Sequence, residues 1–156
     1  MKILIGLVVS HSLVAVAGFA LGVYMLPLLT APSAPSAADL AAASVGAQYE
    51  GHFRRDLEGS DFLHWGVGKV SVGRDAIALH GEIAPGPDYQ LYLSPQFVET
   101  EADFVRLKPD MVRVGAVKTF ENFIVPIPES VDPGQFSAVI IWCESFGEFI
   151  TAASYR

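Results

Sequence analysis

The sequence predicts an all-β fold, an antiparallel β-sandwich or small barrel, preceded by one N-terminal transmembrane helix. Three observations carry this. Ile3 to Leu29 form an almost unbroken apolar run. Beyond it, short stretches either alternate apolar and polar residues or are wholly apolar, as half-buried and fully buried strands do. Pro85, Pro87, Pro95, Pro109, Pro126, Pro128 and Pro133 fall between those stretches or at their ends, where proline costs no ladder hydrogen bond.

The apolar run is interrupted only by Ser10-His11-Ser12 and preceded by a single charge, Lys2. At about 1.5 Å of rise per residue it reaches roughly 40 Å, enough to cross a hydrocarbon core of about 30 Å. Its length favours an anchor at residues 1–29 over a cleaved secretory signal, whose apolar core spans about 7–15 residues. Small residues that a signal would need do follow, at Ser36-Ala37-Ala38. Lys2 lies before the run, and Thr30 to Gln48 contains neither Lys nor Arg. The positive-inside bias therefore places the amino terminus in the cytoplasm and the remainder outside it, in a periplasm or at a cell surface. Residues 3–29 thus have the lipid bilayer as their partner, and Gly18 and Gly22 form a small-x-x-x-small pair through which two such helices can dimerise.

Residues 30–47, opening Thr30-Ala31-Pro32-Ser33-Ala34-Pro35-Ser36, are rich in Ala, Pro and Ser and read as a tether, with a short helix expected in Leu40 to Ala47. Residues 48–156, about 110 in number, suit one domain with its own core. Within it Val70-Ser71-Val72 and Ile77-Ala78-Leu79 alternate across Gly73-Arg74-Asp75, the pattern of a hairpin. Tyr89-Gln90-Leu91-Tyr92-Leu93 is a further alternating run, and Ala138-Val139-Ile140-Ile141-Trp142 is continuously apolar. Short strands at this spacing predict a sandwich or barrel.

Charge excludes some functions. All seventeen acidic residues and nine of the ten basic ones follow the span, so the outer part carries a formal charge of −8. That argues against a nucleic-acid partner and against docking on anionic headgroups. Gly66-Val67-Gly68 is only a fragment of a phosphate-binding pattern and reads as a bulge or a close approach of strands. No Gly-x-Ser-x-Gly elbow is present, so a hydrolase has no motif behind it. Glu99-Thr100-Glu101-Ala102-Asp103 places acids at alternating positions, expected as an acidic strand face or a loop that meets Ca²⁺.

Cys143 is the only cysteine, so no internal disulfide can form. On a two-residue period it shares a face with Val139 and Ile141, which favours a core position; a reactive or ligating thiol and an intermolecular disulfide remain alternatives. His52, His64 and His80 form no metal-ligand spacing among themselves, and a site combining one of them with Cys143 has to be assembled by the fold.

Two stretches together resemble the DM-thirteen domain, the "electron transfer" domain of Skeletor-type extracellular proteins. They are Gly86-Pro87-Asp88-Tyr89-Gln90-Leu91-Tyr92-Leu93-Ser94 and Val139-Ile140-Ile141-Trp142-Cys143-Glu144-Ser145-Phe146, the latter followed by Phe149 and Ala152. Gly51-His52-Phe53, His64 with Gly66 or Gly68, Val114-Gly115-Ala116-Val117-Lys118 and Phe123-Ile124-Val125-Pro126 also resemble its elements. Gly81-Glu82-Ile83 departs from the family's Asn-Phe or Asp-Phe pair, and Thr119 from its glycine. The resemblance, from about Gly51 to Tyr155, implies an extracytoplasmic β domain in which the thiol of Cys143 takes part in redox chemistry. His52, His64, His80, Trp142 and Asp88 are the accompanying binding candidates. It names no cofactor, haem and metal both staying open.

Two functions are therefore expected in competition. One is a membrane-tethered redox or electron-transfer module built on Cys143. The other is a non-catalytic interaction or ligand-binding domain whose exposed aromatics, such as Trp65, Tyr89 or Tyr92, meet a protein partner in the envelope.

Overall fold

The computed structural model describes Met1–Arg156. Residues Lys2–Thr30 form one helix, α1, which buries no residue and has the length and hydropathy of a membrane span. Lacking any polar face, it cannot be the amphipathic helix of a soluble core. Ala31–Ser36 is extended, and α2 (Ala37–Ser44) then begins at a capping box: the Ser36 side chain accepts from the Asp39 amide while the Asp39 carboxylate accepts from the Ser36 amide. That box starts the helix three residues earlier than expected. Leu40 is buried as α2 packs on the sheet, so the second half of the expected tether is docked on the domain.

Two four-stranded antiparallel sheets follow, confirming the sandwich. In the first the order is β1 (Ala47–Phe53), β2 (Gly66–Gly73), β3 (Ala76–Ile83) and β6 (Glu121–Pro126). In the second it is β5 (Val112–Val117), β4 (Tyr89–Ser94), β7 (Ala138–Cys143) and β8 (Glu148–Ser154). The expected hairpin is β2–β3, turning at Arg74-Asp75. Phe53, Val70, Val72, Ile77 and Leu79 of one sheet meet Leu91, Leu93, Val139, Ile141 and Ile150 of the other in the central core.

The second sheet is covered on its far face as well. Helix α3 (Glu101–Leu107) lays Phe104 and Leu107 over Tyr92, Ile140, Trp142 and Phe149, and Phe104 stacks on Trp142 with ring centroids 3.9 Å apart. This explains why β7 is apolar at every position: all six of its residues are buried, Val139, Ile141 and Cys143 in the central core and Ile140 and Trp142 in the layer under α3. The acids at Glu99 to Asp103 therefore belong to a helix start, not to a strand face or a calcium loop. The Thr100 hydroxyl caps the Asp103 amide at 3.2 Å, Asp103 pairs with Arg106 at 2.7 Å, and Glu99 pairs with Arg54 at 3.0 Å.

The glycines of β2 mark a close approach of strands. Gly68, at φ +132°, faces Gly81, and a Cβ on Gly81 would lie 2.1 Å from the Val67 carbonyl oxygen. A methyl there has to push β2 and β3 apart. We expect Gly81→Ala to lower stability by about 1–3 kcal/mol, whereas Gly46→Ala, which meets open space, changes little; urea midpoints compare the two. Phe104→Ala, which empties a fully buried site under α3, is expected to cost about 3–5 kcal/mol in the same assay.

Candidate functional site

Cys143 ends β7 at the rim of the sandwich, where the connections 84–88, 118–120 and 144–147 gather. Its position is set by a clamp between the two stretches singled out in the sequence. The Cys143 thiol donates to the Pro87 carbonyl at 3.1 Å. Asp88, at φ +53°, occupies the left-handed region that Asp tolerates better than most residues. Its carboxylate accepts from the Ser145 hydroxyl at 2.8 Å and from the Gln90 amide nitrogen at 3.2 Å, while its carbonyl accepts from the Glu144 amide at 3.2 Å. Gly86 leaves room for the Tyr89 ring, whose hydroxyl would lie 2.3 Å from a Cβ there. The 144–147 turn closes through Gly147, at φ +71°, whose amide donates to the Cys143 carbonyl at 2.9 Å.

A cavity of about 510 Å³ lies over this clamp, lined by Leu63, His64, Pro85, Pro87, Tyr89, Cys143, Phe146, Glu148 and Ile150 of the domain and by Phe19, Ala20, Val23 and Tyr24 of α1. The lining is mainly apolar, with His64, the Tyr89 hydroxyl, the Cys143 thiol and Glu148 as its polar groups. Cys143 itself is 3% exposed and packs with Val139 and Ile141, on the face that the alternation predicts. Burial pushes its thiol above the ordinary range, and the negative charges of Asp88 and Glu148 push the same way. The amides of Ser145 and Phe146 pull in the opposite direction without reversing the shift. Tyr89 is likewise held protonated, first by burial and then by the nearby Cys143.

Among the histidines only His64 reaches this cavity. Its Nδ1 lies 3.1 Å from the Asp61 carboxylate, which also accepts from the Leu63 and His64 amides at 2.7 Å each. Partial burial opposes the shift, yet those bonds hold the Asp61 carboxyl below the usual range. At the cavity rim Glu101 is pushed up, chiefly by its hydrogen bond with Glu148. His52 and His80 lie elsewhere: both are exposed on the first sheet, on either side of Lys69 in register, and so do not join Cys143. Trp142 points from the opposite face of β7, into the layer under α3.

Glu144 continues that second layer. It pairs with Lys108 at 2.8 Å and accepts from the Tyr92 hydroxyl. Although desolvation raises its carboxyl, the bonds from Lys108 and Tyr92 hold it below the usual range. The aromatics expected at an interface are otherwise engaged. Tyr89 and Tyr92 are buried, and Trp65 is covered by the Arg55 guanidinium 3.4 Å from its ring centroid. Burial of Tyr89 and Tyr92 thus takes two of the three named anchors away from the interaction-module reading, while Phe62 and Phe146 are the aromatics that the domain exposes most.

Sequence reasoning missed the Pro87 carbonyl, the Ser145 and Phe146 amides and Glu148 as neighbours of the thiol. The signal that could have found the first of these is Gly86-Pro87-Asp88, a turn sequence that must deliver a backbone group somewhere. No three His, Cys, Asp or Glu side chains converge closely enough to hold a metal ion, so a metal bound by this chain's side chains alone does not fit the residues present.

No curated protein and no solved structure matches the chain. The family model described as "Electron transfer DM13" matches residues 57–155, which include β2 through β8, both halves of the clamp and Cys143. That match covers well over half of the sequence, and the chain belongs to the DM13 electron-transfer family.

Proposed function

We propose that this protein is a membrane-tethered redox module, anchored by α1 with its amino terminus in the cytoplasm and its β domain outside, in which Cys143 is the reactive or ligating atom. The observation that supports this most directly is the placement of the thiol. A lone sulfur ends a buried strand at the base of an apolar cavity, where two family elements, Gly86-Pro87-Asp88 and Trp142-Cys143, fix it through the Pro87 carbonyl. A cysteine serving only as a small core residue needs no such opening. His64 is the one histidine placed to supply a second polar contact in the same cavity. The family's electron-transfer description supports redox chemistry, and the length and hydropathy of α1 support the tether.

Burial dictates how the thiol behaves toward aqueous reagents. The thiolate is the nucleophile, and a raised pKa keeps its fraction small at neutral pH. In the folded, full-length protein in detergent we expect Cys143 to alkylate slowly with a charged reagent such as iodoacetate, with a rate that climbs with pH and inflects above about 8.5, the free-thiol value. An inflection below that value would contradict the burial described above.

The redox assignment is tested by protein-film voltammetry and absorbance of the full chain purified from an oxidising compartment, beside Cys143→Ser with retained circular dichroism. A redox signal present in the parent and abolished in the variant is expected. Identical traces, with or without a signal, overturn the role of Cys143.

A further inference from the structure

We propose that the Cys143 end of the sandwich sits on the bilayer, with Phe62, Leu63 and Phe146 in the lipid interface, so that the cavity over the thiol opens toward lipid and not toward bulk water. The inference rests on the membrane-tether reading of α1 and adds to it where the domain stands.

The two ends of the sandwich differ in chemistry. At the Cys143 end Phe62 is 85% exposed, Phe146 55% and Leu63 40%, beside Pro85 and Pro87. These are large apolar groups at loop tips, where nothing in the fold requires them. At the opposite end the hollow beside the β2–β3 turn is lined by Gln48, Arg74, Asp75, Glu129 and Asp132 among others, which suits water.

The chain leaves the membrane at the apolar end. Helix α1 has 29 residues, and a hydrocarbon core of about 30 Å takes up about 20 of them. With Lys2 at one face, the hydrocarbon core is filled by about Gly22 to Tyr24, Met25 to Leu29 continue the apolar run through the headgroup region, and Tyr24 falls at the interface depth that tyrosine favours. Val23 and Tyr24 are the residues that wall the cavity against Tyr89, Cys143 and Phe146. Phe19 and Ala20, which share that wall, lie about 5–8 Å deeper, within the depth reached by interfacial segments. Just beyond, Leu26, Pro27, Thr30 and Pro32 line a second hollow with Pro87, Asp88 and Phe120.

The link keeps the domain within short reach of the bilayer. Only Ala31–Ser36 separates α1 from α2, and α2 is docked through Leu40. Six extended residues span at most about 20 Å. The driving force is apolar: the surrounding acids Asp61, Asp88 and Glu148 disfavour anionic headgroups, so the partner surface is zwitterionic lipid.

Depth quenching tests the placement. The full chain is reconstituted in nanodiscs of phosphatidylcholine brominated on the upper acyl chain, and Phe62→Trp, Phe146→Trp, Arg74→Trp and Val14→Trp are compared with the parent to subtract Trp65 and Trp142. Seating predicts that Phe62→Trp and Phe146→Trp lose most of their added emission relative to unbrominated lipid, while Arg74→Trp loses none. Val14→Trp, read with deeply brominated lipid, reports the anchor separately. If it is quenched while Phe146→Trp and Phe62→Trp match Arg74→Trp, the seating is overturned and the anchor stands. If Val14→Trp is not quenched, the anchor reading fails and the seating fails with it.

Discussion

The structure depends on one constraint, the burial of β7 on both faces. A strand in a two-layer sandwich ordinarily faces the core with alternate residues and water with the others. Here α3 adds a third layer, so Ile140 and Trp142 are as enclosed as Val139 and Ile141. That enclosure fixes the register of β4 and β8 on either side, since a slip by one residue would exchange two differently shaped layers. It also fixes the end of the strand. Cys143 is the last residue of β7, and the chain turns immediately beyond it.

Because β7 is buried on both faces and paired on both edges, it offers a fixed line against which the 86–88 turn is set, Asp88 taking the left-handed conformation that this turn requires. The Pro87 carbonyl has one donor directed at it by the strand, and the Asp88 carboxylate holds the turn that follows. The two family elements are thus two halves of one clamp, far apart in sequence and joined by the β4–β7 pairing, in which Tyr89 faces Cys143. Trp142 belongs to the same arrangement from the other side. Its stacking on Phe104 anchors the strand to α3, and Lys108 and Glu144 close the edge of that layer.

Much of this was legible in the sequence, and the limits have physical reasons. The β2–β3 hairpin and strands β4 and β7 follow from periodicity and turn residues, and the core-facing side of Cys143 follows from alternation alone. Helix α3 did not, because its seven residues are too few for a helical period to outweigh the alternating acids before it. The Thr100-x-x-Asp103 cap was nevertheless present as a signal. Tyr92 read as a surface aromatic because it shares a face of β4 with Gln90 and Ser94, and only α3, which the local pattern does not announce, buries it. Tyr89 lies on the core face with Leu91 and Leu93, where alternation alone marks it as buried. The separation of His52 and His80 from Cys143 was invisible for a different reason: it depends on which sheet each strand joins, and no local pattern encodes that choice.

The chemistry of the thiol and its surroundings then have to be read together. A sulfur kept protonated by burial is a poor nucleophile in water, and Asp88 and Glu148 repel anionic reagents from it. Electron transfer through such a group requires a partner that tolerates low polarity or displaces the water that remains. The cavity meets that requirement, since its walls are proline, leucine, phenylalanine and isoleucine with His64 and the Tyr89 hydroxyl as its hydrogen-bonding groups beside the thiol and Glu148. A small apolar molecule carrying one or two polar atoms gains there both the burial of its surface and a defined orientation. A hydrated ion gains neither. The same burial that slows Cys143 toward charged aqueous reagents thus matches, under the proposed redox role, a partner of low polarity.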